Sequence, residues 1–401
     1  MDRSRPVDTL EVPESERFLE AAQSLARFVV STTQLDRTDC LWPADAVVFQ
    51  TNPLHIAHGA CGIALFAQRA LGELPEGVEQ WLLDRSADTG LYPPGLYSGL
   101  AGVAWSFSEL GLRDRGLELI RAVDQHPLAY QSCDIHNGAA GWGLAALALY
   151  LETAEEGLLE LAERAGKHIL EAAIEDENGL YWQGVGDEAV VRLGFAYGPC
   201  GIALFLLYLW QLTGESAYLD TARRAMEFES RQAKPDGDSL VWGTTLTDEG
   251  HRPYWLRGGA GFATTAARFF HTLGDPAYLD LTEKATKGCA VFFSAAPHLF
   301  EGLTSMGESL LDYFWLTGDS HYLEKARQKA EQALLFRVET EAGWAMPGRY
   351  SLRISNDYGV GGAGIGLFLL RLARGERGRL LHDIQASPGR FPKPLGLGFC
   401  S

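Results

Sequence analysis

The chain has 401 residues, of which 46% are hydrophobic, enough for a large core, and a formal net charge of −18. That charge disfavours a nucleic-acid surface and suits a basic peptide partner. No apolar run has the length and charge-free flanks of a membrane span, and the charged first residues lack a signal-peptide core, so a cytoplasmic protein is expected.

In chain order, the stretch to about Pro13 reads as an irregular tail. Residues 14–33 form an amphipathic helix. A loop of the form G-x-x-G then opens an apolar run at Gly59, and again at Gly99, Gly138, Gly198, Gly258, Gly302 and Gly361; in the sixth, Ser305 replaces the second Gly. Self-similarity on this scale fixes the architecture. Three of the units also end alike, in Thr213-Gly214-Glu215, Leu273-Gly274-Asp275 and Thr317-Gly318-Asp319. In each, about four helical turns separate the loop Gly from the closing Gly. The closing Gly predicts a left-handed C-terminal stop, with Asp or Ser capping the next helix.

The first helix of each unit is apolar nearly all round, as in Gly201–Leu209, and so is predicted to be buried. The second, such as Tyr218–Arg231, is amphipathic. Buried inner helices alternating with half-exposed outer ones predict an all-α fold, an α/α toroid of about seven inner and seven outer helices. Residues 14–33 supply the outer helix that closes the ring. Short β ribbons are expected near Gly179–Gln183 and Gly343–Pro347, and an irregular tail after about Ala386. The domain division is therefore 1–13 tail, 14–385 toroid, 386–401 tail. All seven loops should meet at one rim, where a site is expected.

Six cysteines (Cys40, Cys61, Cys133, Cys200, Cys289, Cys400) are scattered with no C-x-x-C pair, so reduced thiols are expected. Cys61 and Cys200 share one repeat position and read as small buried residues. Cys133 and His136 have a metal-compatible spacing, but two ligands are not a site.

The seven G-x-x-G helices resemble the lanthionine synthetase C-like cyclases. That family's pattern is a His before one loop Gly, then Trp-Cys-x-Gly, then Cys-His-Gly. Here the three loops read Phe195-Ala196-Tyr197-Gly198, Trp255-Leu256-Arg257-Gly258 and Leu299-Phe300-Glu301-Gly302. The resemblance thus places Tyr197 at the catalytic His, Leu256 and Phe300 at the zinc cysteines, and Glu301 at the zinc His. One Glu does not hold zinc, so no metal and no cofactor is expected. The family's Asp matches Asp134 and its Arg matches Arg252. Loss of the ligands with retention of the scaffold resembles the cyclase domain of class III lanthipeptide synthetases, multidomain lyase–kinase–cyclase enzymes. Phe49–Leu54, Pro93–Tyr97 and Ser355–Gly359 also look like that branch. No kinase motif lies in the chain, so a free-standing cyclase-like protein or an excised C-terminal domain is expected.

The resemblance implies lanthipeptide biosynthesis: a peptide Cys thiol adds to dehydroalanine or dehydrobutyrine and closes a thioether ring. The substrate would be a dehydrated precursor peptide, and separate kinase and lyase proteins are the further partners implied. Without zinc, Arg252 and Arg257 are candidates to favour the thiolate. His136 or Tyr197 would relay protons, Asp134 would orient one of them by a hydrogen bond, and Glu301 completes the catalytic set. His58, Trp255, Asp357 and Tyr358 are the candidate substrate contacts. Each has a plainer reading: Asp134 as a helix cap, His136 as a structural histidine, Tyr197 as filler, Glu301 as a helix-dipole partner, Arg252 in a salt bridge. Two other functions stay open, a non-catalytic scaffold that binds the precursor peptide, and an α/α-toroid carbohydrate enzyme with Asp134, Glu301 or Asp357 as its carboxylates.

Overall fold

The computed structural model describes residues 14–85, 92–184, 190–378 and 382–383; the tails predicted at 1–13 and 386–401 lie outside them. Among the described residues seven helices follow the Gly loops: α2 (Ala60–Leu71), α4 (Leu100–Glu109), α6 (Ala139–Thr153), α8 (Pro199–Thr213), α10 (Gly259–Leu273), α12 (Leu303–Thr317) and α14 (Gly362–Arg374). Seven more alternate with them: α1 (Glu14–Ser31), α3 (Val78–Asp84), α5 (Arg113–Ala122), α7 (Glu156–Glu171), α9 (Ser216–Arg231), α11 (Pro276–Cys289) and α13 (Ser320–Leu334). Each inner helix packs on the next, α14 returns to α2, and α1 packs on α14 as its outer partner. The ring is closed, and the fold is an α/α toroid.

The two helix classes differ in burial as their sequences require. Helix α8 is buried without a break from Pro199 to Leu209. Helix α7 buries one stripe, Leu158, Leu161, Ala162, Ala165, Gly166 and Ile169, at helical spacing. No described helix is long and apolar enough to cross a membrane.

The second Gly of the motif has a steric cause. A Cβ on Gly62, Gly141, Gly201 or Gly364 would stand 2.2, 2.0, 1.9 or 2.1 Å from the carbonyl oxygen of Ile56, Ile135, Phe195 or Tyr358, three residues before the loop's first Gly. Only a residue without a side chain lets each loop fold down onto its own helix. The sixth loop departs from this: the Ser305 hydroxyl accepts a hydrogen bond from the Trp255 N–H of the neighbouring loop.

Gly214, Gly274 and Gly318 close their helices in the left-handed region. The caps that follow are Glu215, Asp275 and Asp319, whose carboxylates accept from the N–H two residues on. At the first of these the cap is Glu215, not the serine beside it. The two expected ribbons are present: β1 (Ile174–Asp176) with β2 (Gly179–Tyr181), and β5 (Val338–Thr340) with β6 (Gly343–Ala345). A third antiparallel hairpin, β3 (Lys234–Asp236) with β4 (Ser239–Val241), was not foreseen. Trp182 and Trp242 tie two of the hairpins back, their indole N–H groups donating to Ile169 O and Glu229 O at 2.9 Å.

Candidate active site

The seven loops meet in a closed ring of backbone hydrogen bonds. Ala57 N–H donates to Tyr97 O, Tyr97 to His136 O, His136 to Ala196 O, Ala196 to Leu256 O, Leu256 to Phe300 O, Phe300 to Gly359 O and Gly359 to Ala57 O, all at 2.8–3.1 Å. Every one of these residues stands two before its loop Gly. The repeat therefore builds a rigid annulus across the top of the toroid, and the side chains on and beside it form the site.

Under the annulus lies an aromatic stack. Trp255 stacks on Phe300, with ring centroids 5.4 Å apart, and Tyr97 meets both edge-on. Tyr97 and Trp255 are fully buried, and Phe300, Tyr358 and Leu256 nearly so. His58 is also buried, its Nδ1 3.3 Å from Asp357 Oδ1. The expected substrate contacts His58, Trp255, Asp357 and Tyr358 thus lie beneath the rim surface.

The accessible polar groups gather around Tyr197. Its half-buried ring stacks on His136 at 4.9 Å, 25° from coplanar. The Arg257 guanidinium carbon lies 5.1 Å from the ring centroid and that of Arg192 lies 5.5 Å from it. Neither guanidinium has a carboxylate at ion-pair distance among the described residues, and Arg257 Nε is buried without a hydrogen-bond partner. Gly194, at φ +91°, brings Arg257 in: a Cβ there would stand 2.5 Å from Arg257 Cα. The loop is clamped from outside by Glu229 of α9, whose carboxylate accepts from Gly194 N–H at 2.6 Å and from Cys200 N–H at 2.7 Å.

Protonation follows from burial. Burial pushes the His136 pKa down to about 4, with His58 and Arg257 adding to the effect against the hydrogen bond to Asn137. His136 is neutral near pH 7. Its Nδ1 is 3.0 Å from Asn137 Oδ1, which also accepts from Ser98 Oγ at 2.6 Å. An imidazole donating there leaves Nε2 as its proton acceptor. Burial and the nearby Asp134 charge push Tyr197 up to about 12 against Arg257, so its hydroxyl keeps its proton.

The other expected residues take different places. Asp134 does not reach the His136 or Tyr197 side chain by a hydrogen bond. Its carboxylate accepts from Ser132 Oγ and from Asn137 N–H, bracing its own loop. Asp357 repeats the arrangement with Ser355 Oγ and Val360 N–H. Burial raises the Asp134 pKa. At Asp357 burial is outweighed by His58 and these donors, which hold the carboxyl well below the usual range. Arg252 is exposed and turned to Asp248, at 3.3 Å, rather than to Tyr197. Glu301 is half-buried on the side of Arg349, whose charge is held chiefly by Asp45 at 3.0 Å. Sequence reasoning missed Arg192, although it occupies the same loop position as Arg252, six residues before the Gly.

The positions that would carry zinc do not fit it. Leu256 and Phe300 offer no donor, and the described residues hold no group of three or more His, Cys, Asp or Glu able to bind a metal ion. All five described cysteines are buried, with their thiol pKa values raised chiefly by desolvation.

Residues 52–382 match the family model for lanthionine synthetase C-like protein. The chain belongs to that family. A curated relative of this lanthionine synthetase C-like protein, the probable SapB synthase of Streptomyces coelicolor, is 30% identical over 368 residues, covering 90% of this chain and 38% of its own length. The chain thus spans well under half of that relative. Among solved structures it is similar to nisin cyclase, with a TM-score of 0.61 and 16% identity over 81% of this chain and 90% of the other. It is also similar to the GH76A α-1,6-mannanase of Salegentibacter sp., with a TM-score of 0.54 and 14% identity over 90% and 100%. At these identities the structural likenesses speak to the toroid alone.

Proposed function

We propose that this protein closes thioether rings in a dehydrated precursor peptide without zinc, and that Tyr197, His136, Arg257 and Arg192 take the place of the metal. The observation that carries the reading is the pair of guanidinium groups flanking Tyr197, in the family's site register and without a carboxylate partner among the described residues.

A peptide thiol has a pKa of about 8.5, so a small fraction is thiolate near neutral pH. Arg257 and Arg192 favour that form. His136 Nε2 takes the thiol proton. The sulfur lone pair attacks Cβ of the dehydro residue, the C–S bond forms, and the π pair moves to Cα as an enolate. Tyr197 O–H delivers a proton to Cα, and His136 returns its proton to the phenolate. The net change is transfer of the thiol hydrogen to Cα, with no redox step. Holding thiol and alkene together supplies several kcal/mol besides. The dehydrated peptide would be made by separate kinase and lyase proteins in the cytoplasm.

Ring closure leaves peptide mass unchanged and protects the Cys from alkylation. Incubating dehydrated peptide with the protein should protect the Cys faster than peptide alone, and Tyr197→Phe should slow this by about 10²-fold. Peptide binding with no gain in protection would instead make the protein a scaffold.

A further inference from the structure

Below the annulus the lumen is charged. Arg268 of α10 is 7% exposed and Arg371 of α14 is 3% exposed. Arg268 Nη1 donates to Asp312 Oδ2 of α12 at 2.7 Å and to Thr264 O at 2.9 Å. Arg371 Nη2 donates to Asp312 Oδ1 at 2.6 Å, and its Nη1 to Glu308. The remaining edge of the Arg268 fork, Nε and Nη2, grips the carboxylate of Asp383 at 2.9 and 2.6 Å. This two-point geometry is how a guanidinium selects a carboxylate.

Asp383 is not part of the toroid wall. It lies beyond α14, and the residue before it, His382, is fully buried. The His382 carbonyl accepts from Tyr208 O–H of α8 at 2.9 Å. Its ring lies 4.7 Å from Phe195 and 5.2 Å from Trp255, the indole that stacks under Phe300. Side chains of two inner helices, Tyr208 of α8 and Arg268 of α10, and of two loops, Phe195 and Trp255, therefore converge on a dipeptide that sits inside the ring, beneath the rim.

We propose that Arg268 is the anchor of a carboxylate-binding site in the toroid lumen, that its ligand class is a peptide carboxylate, and that Asp383 of the same chain fills it. This inference stands apart from the cyclase reading. His382 seats the dipeptide under Trp255.

The test uses the full chain and sodium formate, the smallest carboxylate. Asp383→Ala leaves two guanidinium donors buried without their partner, and the melting temperature should fall by about 5 °C. Sodium formate at tens of millimolar, against sodium chloride at equal strength, should recover much of that loss. The recovery should be absent in the double variant Arg268→Gln with Asp383→Ala. If the alanine variant does not fold, Asp383→Asn, whose amide offers Arg268 one acceptor in place of two, should still lower the melting temperature by several degrees. A melting temperature within a degree of the parent, or formate raising every variant alike, overturns the proposal.

Discussion

Glu229 shows how one buried carboxylate sets the presentation of Tyr197. It spans Gly194 N–H and Cys200 N–H from a neighbouring outer helix. Burial pushes its pKa up to about 7, against those two hydrogen bonds. The native state therefore holds a proton that the unfolded state releases between about pH 4.5 and 7. Over that window the folded state binds more protons, so the Glu229 contribution to stability is full below pH 4.5 and falls as pH rises to 7. Comparing melting temperatures of the parent and Glu229→Gln from pH 5 to pH 8 should show the difference moving in favour of the Gln variant. A pH-independent difference would refute the assignment. Nothing in the local sequence announces this clamp, because its two ends are some thirty residues apart and are joined only by the packing of α9. Arg192 is hidden for the same kind of reason. It shares a loop position with Arg252, but a backbone bridge to Thr245 accompanies its turn toward Tyr197, whereas Arg252 is held by Asp248. The braces leave a trace in the sequence, since Ser132-Cys133-Asp134 and Ser355-Asn356-Asp357 repeat one Ser-x-Asp pattern four residues before a loop Gly, but Asp134 was expected to orient His136 or Tyr197 and Asp357 to contact substrate.

At the scale of the element, the G-x-x-G motif is a packing device. Its first Gly opens the helix from extended backbone, and its second admits the loop's own carbonyl. Gly201→Ala would force a methyl group to within 1.9 Å of Phe195 O and should cost about 3 kcal/mol in denaturant unfolding, with loss of the loop that carries Tyr197. Gly157→Ala, on outer helix α7 with nothing within 4 Å, should be neutral or add about 0.5–1 kcal/mol. Equal effects at the two sites would remove the steric reading of the motif. Helix order and the glycine stops were legible because glycines and apolar periodicity state them directly, whereas the Glu215 cap was not. The third hairpin was not, since Lys234-Pro235-Asp236 is exposed at every position and Ser239-Leu240-Val241 half-buried at every position, so neither strand alternates.

For the whole molecule, seven loops joined by one cyclic set of backbone hydrogen bonds form a platform across the top of the toroid. Positions that the family resemblance gives to zinc ligands are occupied here by Leu256, a core residue, and Phe300, part of the aromatic stack, and the polar groups gather around Tyr197. The repeat made the rim legible; the lumen filling at His382 and Asp383 was not, because its partners, Phe195, Tyr208, Trp255 and Arg268, lie more than a hundred residues away in sequence. The most direct test of the account is the rate of Cys protection in dehydrated peptide after chelator treatment, measured for the parent protein and for Arg257→Gln. The expected result is an unchanged rate in the chelated parent and a drop of about 10²-fold in the variant. A parent rate abolished by chelation and restored by added zinc, with Arg257→Gln unaffected, would contradict it.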